Sequence, residues 1–293
     1  MKPKEIVTMP RIIGLVLVII AVLSYKRGYV QAALIAIAGL VLLFSNKEYA
    51  IRQFRAFLGS FRLKKDFVLV MFIDAAFVVL VVLLGFALYA VMMRNIAALE
   101  PIQVGATLTE EMLTTYNDII GNVFMKAIIA VIIFWLIFVA LYSVARSLIW
   151  LVLLGKRARL SFLARMFGIS IAWCTVWFGF MVLLLANARQ VTGAYLFIIM
   201  MLLYTHITTV LHYSYTKNRA IGIALKDAFG TGLGSIISFV HPYCYFFIVY
   251  VVLIQLPRLV QDKAALAVSF IVYFAFMAWY RTCMRNTLRR LEQ

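Results

Sequence analysis

The chain has 293 residues, of which 66% are hydrophobic and only 13% charged, and its formal net charge is +17. Soluble domains carry about 25% charged residues, so this composition excludes an ordinary soluble domain and predicts a membrane protein. The basic residues are scattered over short segments between apolar runs. This distribution is typical of loops that face anionic lipid head groups, and we expect no nucleic-acid partner.

Two short apolar runs, residues 12–25 and 29–44, open the chain. Each is marginal for a span of about 20 residues, so they predict a short hydrophobic hairpin that either crosses the bilayer or dips into it and returns. Gly39 and the alanines one and two turns before it favour close packing against the first run. The basic start resembles a signal peptide, but no small-residue cleavage site follows it, and we expect it to be retained.

Residues 46–66 combine a polar, basic face with an aromatic-rich face at helical spacing. This pattern predicts a basic amphipathic helix that lies flat in the head-group region. We expect it to contact anionic head groups on the cytoplasmic side, although binding of a membrane-protein partner is an alternative. The candidate head-group contacts are Arg52, Arg55, Arg62, Lys64 and Lys65.

Longer apolar runs follow and predict six full transmembrane helices within residues 67–293. The runs cover residues 67–93, 127–154, 166–188, 194–212, 233–256 and 264–280. The predicted fold is an all-α, polytopic integral membrane bundle with interfacial amphipathic helices. It divides into a hairpin (residues 1–45), the amphipathic helix (46–66) and the bundle, about eight membrane helices in total.

Two connecting segments predict further short helices. Residues 94–122 are polar and acidic, and they predict an outer loop with a surface helix that ends at Gly121 and Asn122. Residues 216–229 predict an interfacial helix that ends at a glycine cluster. Within the run that follows, Pro242 predicts a kink.

Lysine and arginine are unevenly distributed between alternate connecting segments. If each run crosses the membrane once, 20 of the 28 basic residues lie on one side and 7 on the other, with Arg146 inside a run. The positive-inside rule then places both termini in the cytoplasm. We therefore expect a multi-pass protein of the cell membrane.

Four polar residues within the apolar runs form a candidate intramembrane site: Asp74, Arg146, His206 and His241. Counted from the cytoplasmic ends of their runs, all four lie roughly 9–12 Å deep. One interpretation is a polar pocket open to the cytoplasm, because intramembrane ionisable groups face a bundle interior or a wet cavity. The alternative is a set of ordinary groups that fix helix packing.

The depths also suggest specific partners. Asp74 and Arg146 lie at matching depth on consecutive antiparallel runs, which predicts an ion pair. For the histidines, the sequence favours hydrogen bonds between helices over metal binding or proton transfer. The three cysteines are far apart and are expected to be buried apolar residues.

Signatures of known chemistry are absent from the sequence. It contains no Gly-x-Ser-x-Gly, no His-Glu-x-x-His, no phosphate-binding glycine loop and no inverted halves, and it resembles no family by eye. No metal or cofactor is therefore expected. The hypotheses are a non-enzymatic transporter, lipid-handling or membrane-assembly component, or a structural scaffold subunit, or a membrane-embedded enzyme, which the missing motifs disfavour.

Overall fold

The structure of the chain is a computed structural model that describes residues 14–19, 29–44, 47–60, 64–97, 110–186, 190–259 and 263–292. The described residues are helical apart from short turns and connections, and they form no strand. The helices are α1 Tyr29–Phe44, α2 Lys47–Gly59, α3 Lys65–Ala97, α4 Glu110–Leu154, α5 Leu160–Ala186, α6 Gln190–Asn218, α7 Ile221–Gly234, α8 Ile236–Leu259 and α9 Lys263–Leu291. Residues 14–19 are also helical. The predicted all-α class is confirmed.

Fewer helices qualify as membrane spans than the sequence predicts. Within the described ranges, four are long and apolar enough: Lys65–Ala97, Asn117–Leu154, Leu160–Ala186 and Leu196–Asn218. A fifth is counted if α7 and the Ser238–Val251 part of α8, which meet at 77°, form one broken span or re-entrant loop. The count is therefore lower than the six predicted: among the described residues α8 is counted only as one arm of this bent pair, and α9 is not among the four.

The helices group into two compact units, whose boundaries fall within α3, α4 and α6 and in the connection between α4 and α5. The first unit comprises Met1–Phe72, Val152–Lys156 and Met201–Gln293. The second comprises Ile73–Leu151 and Arg157–Met200. The predicted hairpin and amphipathic segment both belong to the first unit, and their separation into domains stays a prediction.

Helix α8 is the centre of the first unit, because α1, α2, α7 and α9 all pack against it. Phe57 of α2 is inserted into an aromatic cluster, with ring centroids 4.3 Å from Trp279, 4.9 Å from Tyr245 and 5.3 Å from Phe246. The Trp279 indole Nε1 also donates a 2.7 Å hydrogen bond to Ser60 Oγ. These contacts fasten the C-terminal end of α2 to α8 and α9.

This packing adds a protein contact to the predicted amphipathic helix of residues 46–66, whose interfacial position stays a prediction. The helix ends at Gly59 instead of continuing to residue 66, and Phe54 and Phe57 on its aromatic face are buried against protein. Aromatic side chains suit both a lipid interface and a protein core, so the sequence pattern alone does not separate the two.

The predicted close packing of the N-terminal runs is confirmed at one crossing point. A Cβ atom added to Gly39 would lie 2.8 Å from the carbonyl oxygen of Gly14, and one added to Gly14 would lie 2.7 Å from the carbonyl oxygen of Gly39. The two backbones therefore touch, which only glycine allows at this position.

Two predicted boundaries differ from the structure. The predicted loop 94–122 is helical at both ends, since α3 continues to Ala97 and α4 runs from Glu110 through Gly121 without ending there; residues 98–109 lie outside the described residues. The helix predicted over residues 216–229 is α7, which begins only at Ile221 because α6 extends to Asn218. Helices α7 and α8 meet at a bend near Ser235, and the kink predicted at Pro242 within α8 stays a prediction.

Candidate functional site

The predicted pairing of Asp74 and Arg146 is confirmed within the second unit. Nη1 of Arg146 lies 3.6 Å from Oδ1 of Asp74, an ion-pair distance slightly longer than a hydrogen bond. The Asp74 side chain is 6% exposed and the Arg146 side chain 21%. The carboxylate is therefore shielded by protein, while part of the guanidinium stays accessible.

Aromatic rings from both helices hold the arginine in place. The guanidinium carbon lies 5.1 Å from the ring centroid of Tyr142 and 5.8 Å from that of Phe77. Phe77 follows Asp74 by three residues on α3, and Tyr142 precedes Arg146 by four on α4, so helical periodicity brings each ring beside its charge. Cation–π attraction of this kind adds to the ion pair. The result is a clasp that joins α3 to α4.

His206 links three helices of the first unit. Its Nε2 lies 2.7 Å from the carbonyl oxygen of Gly232 near the end of α7, and its Nδ1 lies 2.7 Å from the hydroxyl of Tyr243 on α8. A carbonyl can only accept, so Nε2 carries the proton and Nδ1 accepts from the tyrosine. Both ring nitrogens are thus satisfied, and the prediction of a hydrogen bond between helices is confirmed for His206.

The other predicted site residue, His241, is buried on α8, in the same unit as His206. Asp74 and Arg146 belong to the second unit. The structure therefore brings the charged pair together and gives His206 local partners, whereas a single pocket formed by all four residues stays a prediction.

The predicted head-group contacts are accessible wherever they are described. Arg52 and Arg55 on α2 are exposed, as are Lys64 and Lys65 at the start of α3. Arg62 lies outside the described residues. These side chains are free to meet anionic head groups, and that contact stays a prediction.

Basic side chains also bind the C-terminal ends of two helices in the first unit, which the sequence analysis missed. Lys156 Nζ donates to the backbone carbonyl oxygens of Thr216 and Lys217 in the last turn of α6. Partial burial, followed by the positive charges of Arg219 and Lys217, lowers the pKa of Lys156. Cations at helix C-termini complement the helix dipole.

Two further contacts extend this network of helix ends. Arg285 Nη1 donates a 3.0 Å hydrogen bond to the carbonyl oxygen of Leu153 at the end of α4. Glu292 Oε2 forms a 2.7 Å salt bridge with Lys217 Nζ and accepts a 3.1 Å hydrogen bond from the hydroxyl of Tyr213. The C-terminal residues are therefore attached to α6.

The second unit contains an open groove between α3 and α4 that the sequence did not reveal. Its volume is about 610 Å³, within the range of small-molecule sites. Most of its wall is aliphatic, with Leu84, Leu88 and Val91 on α3 and Ile129 and Ile133 on α4 among the lining residues. The groove begins beyond the Asp74–Arg146 clasp along both helices. Only a spatial arrangement of two helices creates such a feature, so no single run shows it.

No group of three His, Cys, Asp or Glu side chains suited to a metal ion occurs among the described residues. Cys174, Cys244 and Cys283 are buried, as expected. The arrangement is suited to holding helices together and to accommodating an apolar ligand.

Comparisons of the chain with protein-family models, curated proteins and solved structures find no match. The chain is identified here by its physical class alone, an all-helical protein with several apolar helices long enough to cross a membrane.

Proposed function

We propose that this chain is a non-enzymatic, multi-pass membrane protein that handles lipid, holding a lipid molecule in the groove between α3 and α4. The observation that carries the proposal is the groove itself, with a volume of about 610 Å³ and mostly aliphatic walls. A hydrocarbon chain is the ligand that such walls favour, because they offer apolar contact and few hydrogen bonds.

The dimensions of the groove support this proposal. Its lining extends from Leu84 to Asn95 along α3 and from Lys126 to Ile137 along α4. Each of these stretches advances eleven residues, which corresponds to about 16 Å along the helix axis. One leaflet contributes about half of the ~30 Å hydrocarbon layer. The groove therefore matches the length of the acyl chains of a single leaflet.

The Asp74–Arg146 clasp supports the same function as a structural element. It joins α3 and α4 on one side of the groove, while the helices stay far enough apart beyond it to leave space for a ligand. In this role the charged pair fixes the helix separation and does not contact the lipid.

Orientation and membrane form part of the proposal. The 20-to-7 distribution of basic residues supports a cell-membrane protein with both termini in the cytoplasm. The exposed Arg52, Arg55, Lys64 and Lys65 then face the inner leaflet, where anionic head groups attract them. Cysteine labelling with a membrane-impermeant reagent at the C-terminus tests the orientation, and labelling from outside intact cells would contradict it.

A scaffold or assembly subunit is the second candidate, and one observation favours it. Only 11% of the candidate span in α4 and 17% of those in α3 and α5 are buried within the chain. Such open apolar faces could be covered by a partner membrane protein instead of lipid. Cross-linking in native membranes followed by mass spectrometry would identify a stoichiometric partner.

The test of lipid handling is a comparison of two tryptophan variants. Ala87 lines the groove and Ala90 does not, although both are exposed alanines on α3. Purification in mild detergent and mass spectrometry of the co-purified lipid should show lipid retained by the wild type and by Ala90→Trp but lost from Ala87→Trp. Equal retention by both variants would contradict lipid binding in the groove.

A further inference from the structure

We infer that the groove between α3 and α4 selects a phospholipid with an anionic head group, bound by Arg94, Asn95 and Lys126. This inference rests on the proposed lipid-handling function and deepens it by naming the ligand class. It concerns the end of the groove, where the lining changes from aliphatic to polar.

The three polar side chains converge from two helices onto one end of the groove. Arg94 and Asn95 lie near the end of α3, and Lys126 lies on α4, while the remaining lining residues are apolar. They are separated from Leu84 and Ile137, at the other end of the lining, by about 15 Å of helix. An amphiphile with its acyl chains along the apolar walls would place its head group beside these residues.

Asn95 provides a second observation that points to a ligand. Its Nδ2 is buried and has no hydrogen-bond partner among the described residues. A buried donor without an acceptor costs about 1–3 kcal/mol, so native proteins satisfy nearly all such groups. A phosphate or carboxylate oxygen at the end of the groove would accept this hydrogen bond.

The two basic residues favour an anion over a neutral or zwitterionic head group. Arg94 and Lys126 are both exposed, and within the described part of the chain neither forms an ion pair with an acidic side chain. Two cations beside an amide donor complement a head group with net negative charge, because charge-assisted hydrogen bonds to phosphate are the strong ones. The positive choline or ethanolamine group of a zwitterionic lipid would be repelled by the same residues.

The length of the groove distinguishes a phospholipid from smaller anions. A free phosphate would use only the polar end and leave the apolar walls exposed, whereas a phospholipid covers both parts at once. The inference therefore commits to a membrane lipid held from one leaflet, the leaflet that lies at the Arg94 end of α3.

The experiment titrates the delipidated full chain with phosphatidylglycerol and with phosphatidylcholine of identical acyl chains, and measures bound lipid by native mass spectrometry. We expect preferential binding of phosphatidylglycerol to the wild type. Arg94→Gln, Lys126→Gln and Asn95→Leu should each lower phosphatidylglycerol affinity roughly tenfold. The same variants should change phosphatidylcholine binding little.

Controls separate local from general effects. Arg165→Gln removes an exposed charge from the same unit but not from the groove, and it should leave the preference unchanged. Arg94→Lys and Lys126→Arg should retain it, because the charges stay. Displacement of the lipid by millimolar inorganic phosphate would identify a free-anion site and overturn the inference.

The outcomes distinguish the inference from the function on which it rests. Equal affinity for both lipids, unchanged by the three substitutions, would overturn anionic selection. Loss of lipid from Ala87→Trp in the same experiment would still support the proposed function. If Ala87→Trp has no effect on either lipid, the proposed function itself fails. Dimerisation in place of lipid binding would show that the groove is an interface between two copies of the chain.

Discussion

The two units of the molecule differ in how their helices are stabilised. In the first, α8 is surrounded by four other helices, and buried groups include aromatic rings, histidines, threonines and an arginine. In the second, large apolar side chains such as Phe86, Phe124 and Val176 are more than half exposed. The difference is also seen along the spans, since 44% of the candidate span in α6 is buried but only 11% of that in α4.

This contrast separates two roles for apolar residues in a membrane protein. Residues of the first unit are apolar because they pack against each other, so truncation there leaves a cavity. Residues of the second unit are apolar although many are exposed, as expected of a surface that faces hydrocarbon or a partner, so truncation there should exchange one apolar contact for another. Substitutions of the same chemical type should therefore have different effects in the two units.

The largest difference is expected for a pair of phenylalanines. Phe57→Ala removes the ring at the centre of the aromatic cluster and should lower the free energy of unfolding by about 3–5 kcal/mol. Phe86→Ala, at a position 67% exposed on α3, should change it little. Unfolding in mixed micelles with increasing dodecyl sulfate measures both, and equal losses would contradict the contrast between the units.

The Asp74–Arg146 ion pair is a specific interaction within the second unit. Removing one charge leaves the other without its partner in a partly desolvated site. Arg146→Gln and Asp74→Asn should therefore each lower the free energy of unfolding by about 2–4 kcal/mol. The double variant should lose less than the sum, with a coupling energy of about 0.5–3 kcal/mol. The same unfolding assay measures the cycle, and strictly additive losses would show that the pair does not interact.

His206 provides the corresponding test in the first unit. His206→Phe keeps a ring beside Phe239 but removes both hydrogen bonds, leaving the Gly232 carbonyl without this donor. We expect a loss of about 1–2 kcal/mol. Thr205→Val is the matched control, because that exposed hydroxyl donates to the carbonyl oxygen of Met201 on its own helix. A loss from Thr205→Val as large as that from His206→Phe would exclude a specific role for the imidazole.

The smallest effect is expected at the end of α6. Lys156→Gln removes the cation that donates to the last carbonyls of the helix and should cost about 0.3–1 kcal/mol. Arg159→Gln removes an exposed charge from the same connection and serves as the control. Hydrogen exchange of the last turn of α6 should accelerate only in Lys156→Gln; unchanged exchange would show that this contact does not stabilise the helix end.

Features that depend on one helix, or on depth in the bilayer, could be predicted from the sequence. The Asp74–Arg146 pair follows from equal depth on consecutive runs, and the helices themselves follow from apolar runs that tolerate no unsatisfied backbone. The close approach at Gly39 follows from its small neighbours. In each case the residues involved lie within one apolar run, or their depths can be counted in residues from the ends of two runs.

Features that depend on the separation or contact of helices could not be predicted. The groove exists because α3 and α4 stay apart beyond the Asp74–Arg146 clasp. In the sequence, Arg94 and Lys126 are only two of the basic residues that flank apolar runs. The sequence predicted a helix end at Gly121, although one glycine lowers the stability of a longer helix by only about 1 kcal/mol relative to alanine. The aromatic face of α2 suited lipid and protein equally, and its contacts with Tyr245, Phe246 and Trp279 appear only in the structure.

The length of α4 has a consequence for access to the molecule. Its 45 residues extend about 68 Å, more than twice the ~30 Å hydrocarbon layer. The polar part, residues 110–126, accounts for about 25 Å of this length, and it precedes the apolar part that begins at Ala127. We expect the acidic start of this segment, near the exposed Asp118, to extend beyond the hydrocarbon layer. We therefore expect a water-soluble antibody or protein to reach the chain at this end of α4, on the side of the bilayer opposite Leu154.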